Sequence, residues 1–304
     1  MDDEKLFQKN LELFARFNPV AAYQLERIDC SQVVFCQTNQ QEPNLLKTDE
    51  EPHLHLHSPF GAMDEEQQVF NSLSLNGVQA LFIYGLGLGY LYEAAKQWLH
   101  ASKDHYLIFL EDDPRVVHRF LETERASAVL KDPQVTLHLF NIPKDYDWGD
   151  MRRDFASLFW TFATKTAYIT ALPAYFLSRF PFFHQFTTQF YMNLSQAERR
   201  LREFRDNQDI DFSNFYSNMP HIGQSALASG LYGKFNQTPA IICGAGPSLE
   251  KQLPLLETLK EKAVIMAAGS AMNVLNQYGI LPHFGGAVDP TQTQTLRLLA
   301  NFAY

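Results

Sequence analysis

Pro239-Ala240-Ile241-Ile242-Cys243-Gly244-Ala245-Gly246-Pro247-Ser248-Leu249-Glu250 reads as an apolar strand that runs through a Gly-x-Gly-Pro-Ser turn into a helix. Gly244 and Gly246 let the backbone turn sharply and come close to a ligand, and Pro247 suits a first helical turn, where a missing N–H leaves nothing unpaired. Ser248 adds a hydroxyl where the helix dipole and free N–H groups already favour an anion. The expectation is a phosphate-binding turn made by Gly244, Ala245, Gly246, Pro247 and Ser248.

Downstream, the alternation continues with a helix over 249–260, a strand over 263–268, a helix over 271–278 and a strand over 283–288. Gly269-Ser270 follows the second strand and Asp289-Pro290 the third. Three loops thereby converge on the carboxyl edge of one sheet, where ligands of open α/β sheets bind. Ser270 is placed to hydrogen-bond a ribose or base, and Asp289 to hold a ribose hydroxyl, a metal ion or a donor sugar.

Upstream, a similar pattern opens at Ala80-Leu81-Phe82-Ile83-Tyr84, a buried-type strand entering the turn Gly85-Leu86-Gly87-Leu88-Gly89. Helix 90–100, strand 106–110, helix 116–130 and strand 135–140 follow, which implies a parallel sheet covered on both faces. Glu111 ends the second strand, where an acidic side chain holds the ribose in nucleotide-binding folds. Gly85, Gly87, Gly89 and Glu111 form a candidate second site of the S-adenosylmethionine or NAD type, with a purely structural turn as the equal alternative. The step from Gly85 to Glu111 has the same length as that from Gly244 to Ser270, as expected of any strand-helix-strand step or of a distant duplication.

The remaining chain sets the frame. Residues 3–22 carry Leu6, Leu11, Leu13, Phe14 and Phe17 at helical intervals, 23–38 reads as short strands, 39–52 as a loop or hairpin, and Leu54-His55-Leu56-His57 as a strand. His53, His55 and His57 share one face of that strand and read as solvent-facing or packed, with no metal site assigned. The stretch through Phe159-Trp160, Tyr175-Phe176, Phe180-Pro181-Phe182-Phe183 and Phe190-Tyr191 reads as core, part of it as an interdomain or homo-oligomer surface. A long helix over 187–207 ends in Arg199, Arg200, Arg202 and Arg205, a solvated face. The expected architecture is α/β: an N-terminal α+β segment (1–70), a Rossmann-like parallel-sheet domain (71–176), a helical connector (177–235), and the first half of a second Rossmann-like domain (236–304).

Composition excludes several classes. With 304 residues, 46% of them apolar, and a net charge of −9, the chain has material for two cores and no broad basic face for nucleic acid. Cys30, Cys36 and Cys243 lack zinc-like spacing and suit a reducing compartment. No window approaches the ~20 apolar residues of a membrane span, and the acidic N-terminus lacks the layout of a secretory signal. The reading is of a soluble, cytoplasmic protein.

Four blocks taken together resemble a known family: Gly244–Leu249, Ala267-Ala268-Gly269-Ser270-Ala271, Tyr278-Gly279-Ile280-Leu281-Pro282-His283-Phe284, and Val288-Asp289-Pro290. Their order and spacing are similar to the central domain of the motility accessory factor proteins. These are bacterial flagellin glycosyltransferases, with a core related to CMP-dependent sialyltransferases and to a 6-hydroxymethylpterin pyrophosphokinase-like family. Leu56-His57-Ser58-Pro59, the Gly85–Gly89 turn with Glu111, and residues 214–220 extend the resemblance over most of 50–304.

The resemblance implies transfer of a pseudaminic- or legionaminic-type nonulosonic acid from its CMP donor to Ser or Thr of flagellin, in the service of motility. Gly244, Gly246, Pro247 and Ser248 would bind phosphate and ribose, and Ser270 and Asp289 would complete the pocket, with a divalent metal such as Mg²⁺ as an optional companion. Two departures stand out. Family members run well beyond Tyr304, so the chain reads as an N-terminal fragment without a nameable catalytic base, and position 283 is His where the family offers Asp. The rivals are a pterin-type pyrophosphokinase using ATP and Mg²⁺ and a non-catalytic flagellin-binding module.

Overall fold

The computed structural model describes residues 2–141 and 146–291. The chain divides into two compact units, residues 1–201 and 202–304. The first unit opens with α1 (Asp2–Ala15) and α2 (Pro19–Leu25), followed by β1 (Val33–Gln37), β2 (Pro43–Lys47) and β3 (Leu54–His55). These three strands form a small antiparallel sheet in the order β1-β2-β3. Then come α3 (Ala62–Ser72), β4 (Ala80–Tyr84), α4 (Tyr90–His100), β5 (Tyr106–Glu111), α5 (Pro114–Leu121), α6 (Glu124–Lys131) and β6 (Val135–Leu139). The unit continues through α7 (Met151–Asp154), α8 (Ala156–Phe162), β7 (Ala167–Ala171) and α9 (Pro173–Ser178).

The main sheet of this unit is parallel throughout, in the order β6-β5-β4-β7. Every residue of β4 is buried, as a central strand covered on both faces requires. Because successive side chains point to opposite faces, Phe82 and Tyr84 enter a layer with Phe155, Phe159, Phe186 and Phe190. Leu81 and Ile83 enter the opposite layer, with Phe14, Leu91, Leu107 and Phe120. The ring of Phe82 meets those of Phe162 and Phe190 edge-on, with centroids 5.4 and 4.8 Å apart. Most of the aromatic run is therefore core, each buried ring contributing about 1.5–3 kcal/mol relative to exposure.

A single helix, α10 (Phe180–Ile222), crosses from the first unit into the second. Phe183, Phe186, Phe190, Leu194 and Ala197 recur at helical spacing and are its buried stripe. The helix begins seven positions before the start at 187 expected from the sequence, because Pro181 sits in the first turn, where its missing N–H is harmless. Two other expectations are also revised. The helix read over 116–130 is two helices, broken at Glu122-Thr123, and the aromatic stretch hides a strand, β7, that pairs with β4.

The second unit carries β8 (Ala240–Cys243), α11 (Pro247–Leu259), β9 (Val264–Ala268), α12 (Ser270–Gln277) and β10 (Phe284–Gly286). Its sheet is parallel in the order β10-β9-β8. Leu249, Leu253 and Leu256 of α11 and Ala271, Met272 and Leu275 of α12 close over Cys243, Ile265 and Ala267. The opposite face carries Ile242, which is 82% exposed, and the exposed Met266. Both units are thus parallel α/β arrangements, each with a glycine turn leaving the first strand of its parallel sheet.

Candidate functional site

In the second unit the parallel strands place the turns after β8, β9 and β10 on one edge. Gly244-Ala245-Gly246 carries the chain from β8 into α11, with Gly246 as the N-cap in extended backbone and Pro247 as the first helical residue. Gly244, Ala245, Gly246, Pro247 and Ser248 are all exposed. A methyl group added at Gly244 would meet nothing within 4 Å, and one at Gly246 would meet only Ser248 Oγ at 3.9 Å. Among the described residues the mouth of this turn is open, and no side chain caps the first turn of α11.

The second and third loops lie along the same edge. Gly269 donates its N–H to Gly286 O at 2.9 Å, tying the end of β9 to the end of β10, and Ser270 opens α12 from an exposed position. Asp289 is exposed and its Oδ1 accepts the N–H of Thr291 at 2.9 Å. The adjoining Pro290 carbonyl accepts from Asn214 Nδ2 on α10 at 2.9 Å. His283, the residue that departs from the family pattern, accepts the Ile265 N–H on Nδ1 at 3.0 Å. This pairing lies at the amino-terminal end of β10, on the edge opposite the three loops.

The glycine turn of the first unit is built differently. Glu111 is fully buried, and every hydrogen bond to its carboxylate comes from a donor. Leu86 N–H reaches Oε2 at 2.8 Å, while Asp112 N–H, Asp113 N–H and Tyr175 Oη–H reach Oε1 at 3.2, 3.0 and 2.8 Å. Burial, and then the charge of Asp112, raise the Glu111 carboxyl above its ordinary range, against the N–H groups of Leu86 and Asp113. The acidic group that would grip a ribose in a nucleotide fold grips its own turn instead.

His57 closes the turn from the other side. Its Nε2 accepts the Leu88 N–H at 2.9 Å and its Nδ1 faces Glu66 Oε1 at 3.0 Å. Gly87 lies at φ +52°, and a side chain there would overlap the His57 ring; one at Gly85 would meet Leu172 and Tyr175. The histidine triplet does not share a strand face, since β3 ends at His55 and His57 is buried beyond it while His53 and His55 are exposed. Spacing alone gave no hint of this role, because its partners Glu66, and Leu88 with Tyr90, come from two later segments.

The crevice between β4 and β7, where strand order reverses, is occupied as well. Beside it, at the ends of β4 and β5, Arg179 donates to Tyr84 Oη at 2.9 Å, Asp112 Oδ1 at 2.9 Å and Glu50 Oε1 at 2.9 Å. Lys47 pairs with Glu50 and Asp113 at 2.9 and 2.8 Å, and Arg115 pairs with Asp113 and Asp49. Neither Lys47 nor Arg179 was legible as a site residue, since each stands in a separate segment of the sequence. Of the two glycine turns, the structure leaves the second open and packs the first with the protein's own side chains.

Residues 213–302 match the family described as 6-hydroxymethylpterin diphosphokinase MptE-like. The solved structure of a MAf glycosyltransferase from Magnetospirillum magneticum AMB-1 superposes with a TM-score of 0.57 at 15% identity, covering 98% of this chain and 51% of the other. The chain thus spans about half the length of that neighbour. MNMC2 from Aquifex aeolicus covers 51% of this chain and 59% of its own at 17% identity, with a TM-score of 0.25 that says nothing about the fold. No curated protein matches in sequence. The resemblance read from the sequence therefore holds in two respects, a fold shared with a MAf glycosyltransferase and an MptE-like segment that contains the open glycine turn.

Proposed function

We propose that this chain carries the nucleotide-sugar site of a cytoplasmic flagellin glycosyltransferase of the motility accessory factor family. The donor would be a CMP-activated nonulosonic acid of the pseudaminic or legionaminic type. The observation that carries the reading is the open turn at Gly244–Ser248 on the same sheet edge as Ser270 and Asp289. Gly244, Ala245 and Gly246 admit the phosphate, Ser248 and the first turn of α11 hydrogen-bond it, and Gly269, Ser270 and Asp289 meet the nucleoside and sugar.

In the transfer, the bond between the anomeric carbon and the CMP phosphate oxygen breaks and its electron pair stays on the phosphate. A Ser or Thr oxygen of flagellin forms the new bond to that carbon, and its hydroxyl proton passes to a base. The N-terminus of α11 stabilises the charge that develops on the departing phosphate. No residue described here is assigned as the base. No described helix is long and apolar enough to cross a membrane, in keeping with an acceptor met in the cytoplasm.

The MptE-like match favours one alternative, a pyrophosphoryl transfer from ATP with Mg²⁺ held by Asp289. A thermal-shift comparison of CMP, ATP with Mg²⁺, and S-adenosylmethionine separates the readings. The expected result is stabilisation by CMP that Asp289→Asn weakens without abolishing. Stabilisation by ATP with Mg²⁺ alone, lost in Asp289→Asn, would replace the transferase reading with the kinase one, and stabilisation by S-adenosylmethionine would move the site to the first unit.

A further inference from the structure

His57, Glu65 and Glu66 bring ligand-type atoms to within 4.8 Å of one another. Glu66 is fully buried, and its Oε2 has no hydrogen-bond partner among the described residues. Glu65 is half-buried on the adjoining position of α3, with Oε2 accepting the Ser58 N–H at 2.7 Å. The two carboxylates are adjacent in sequence and close in space, and the pair carries two negative charges where one buried oxygen lacks a donor.

His57 does not supply that charge. Because Nε2 accepts the Leu88 N–H, the imidazole is neutral with its proton on Nδ1, and that proton is already given to Glu66 Oε1. The same tautomer forbids His57 from ligating through Nδ1, so it orients the Glu66 carboxylate and leaves Oε2 free. A cleft of about 500 Å³ lined by Ser58 and Glu65 reaches the Glu65 carboxylate, with the buried Glu66 behind it.

We propose that Glu65 and Glu66 bind one divalent cation of the hard, oxygen-seeking kind, such as Mg²⁺, Ca²⁺ or Mn²⁺, with His57 as its positioning residue. Two carboxylates and water from the cleft form an all-oxygen ligand set, which suits these ions over Zn²⁺. The bound ion ties α3 to the 57–60 segment and, through His57, to the glycine turn. Its role is structural, and it is independent of the nucleotide site.

The test is Mn²⁺ titration of the intact chain, following loss of the free Mn²⁺ resonance. One saturable site is expected, displaced by Ca²⁺ or Mg²⁺, with affinity reduced about tenfold or more in Glu65→Gln. Glu65→Gln keeps an oxygen for the Ser58 N–H, and an unchanged near-UV dichroism spectrum checks that it folds. Uptake is expected to persist in Asp64→Asn, on the neighbouring position, and in Asp289→Asn, in the other unit. No saturable uptake would mean that the carboxylates share a proton instead, and uptake unchanged in Glu65→Gln or lost only in Asp289→Asn would place the ion elsewhere; each overturns the proposal.

Discussion

Gly87 and Gly246 stand in corresponding turns under opposite constraints. Gly87 needs a left-handed backbone and the space that the His57 ring fills, whereas Gly246 has ordinary extended backbone and open surroundings. Gly87→Ala is expected to cost about 2–4 kcal/mol, combining left-handed strain with overpacking. Gly244→Ala is expected to stay within about 0.5 kcal/mol of the parent, as for a surface position. Urea unfolding of the two variants checks the contrast, and equal losses would mean that His57 yields where the structure holds it fixed. The sequence marks both turns by their glycines, but a glycine kept for a ligand and one kept for a neighbouring side chain are the same letter.

At the scale of elements, the junction between β5 and α5 rests on Asp113, which caps α5 through the Arg115 N–H at 3.0 Å and is almost fully buried. Burial works to raise its carboxyl, but Arg115 and Lys47 outweigh it and hold the group down at about 2, from an ordinary 3.8. A depressed folded value means that the stabilisation is complete above the ordinary carboxylate range and is lost as pH falls through about 2. Asp113→Asn, which keeps a capping oxygen, is expected to destabilise the first unit by about 2–3 kcal/mol at pH 7, with the difference from the parent shrinking between pH 4 and pH 2. Unfolding curves across that range read it, and a constant difference would contradict the ion-pair account. Most elements were legible because apolar strands such as Ala80–Tyr84 and glycine turns punctuate the chain strongly. β7 was not, since Ala167–Ala171 is short, carries Thr170 and lies among aromatics that pack from helices; α10 was underestimated because Pro181 reads as a stop unless its place in the first turn is known.

At the scale of the whole molecule, the sequence conveyed the α/β class and the convergence of Ser248, Ser270 and Asp289 on one edge, because parallel order follows from alternating strands and helices. It did not convey which glycine turn is open. That depends on His57, Leu172 and Tyr175, brought to the first turn from distant segments by tertiary packing. The most direct test of the account is calorimetric titration of CMP into the intact chain and into Gly246→Val. The account predicts saturable binding that disappears in the variant, with thermal stability close to the parent, because the added side chain enters the space left for phosphate. CMP affinity unchanged in a folded Gly246→Val would contradict it.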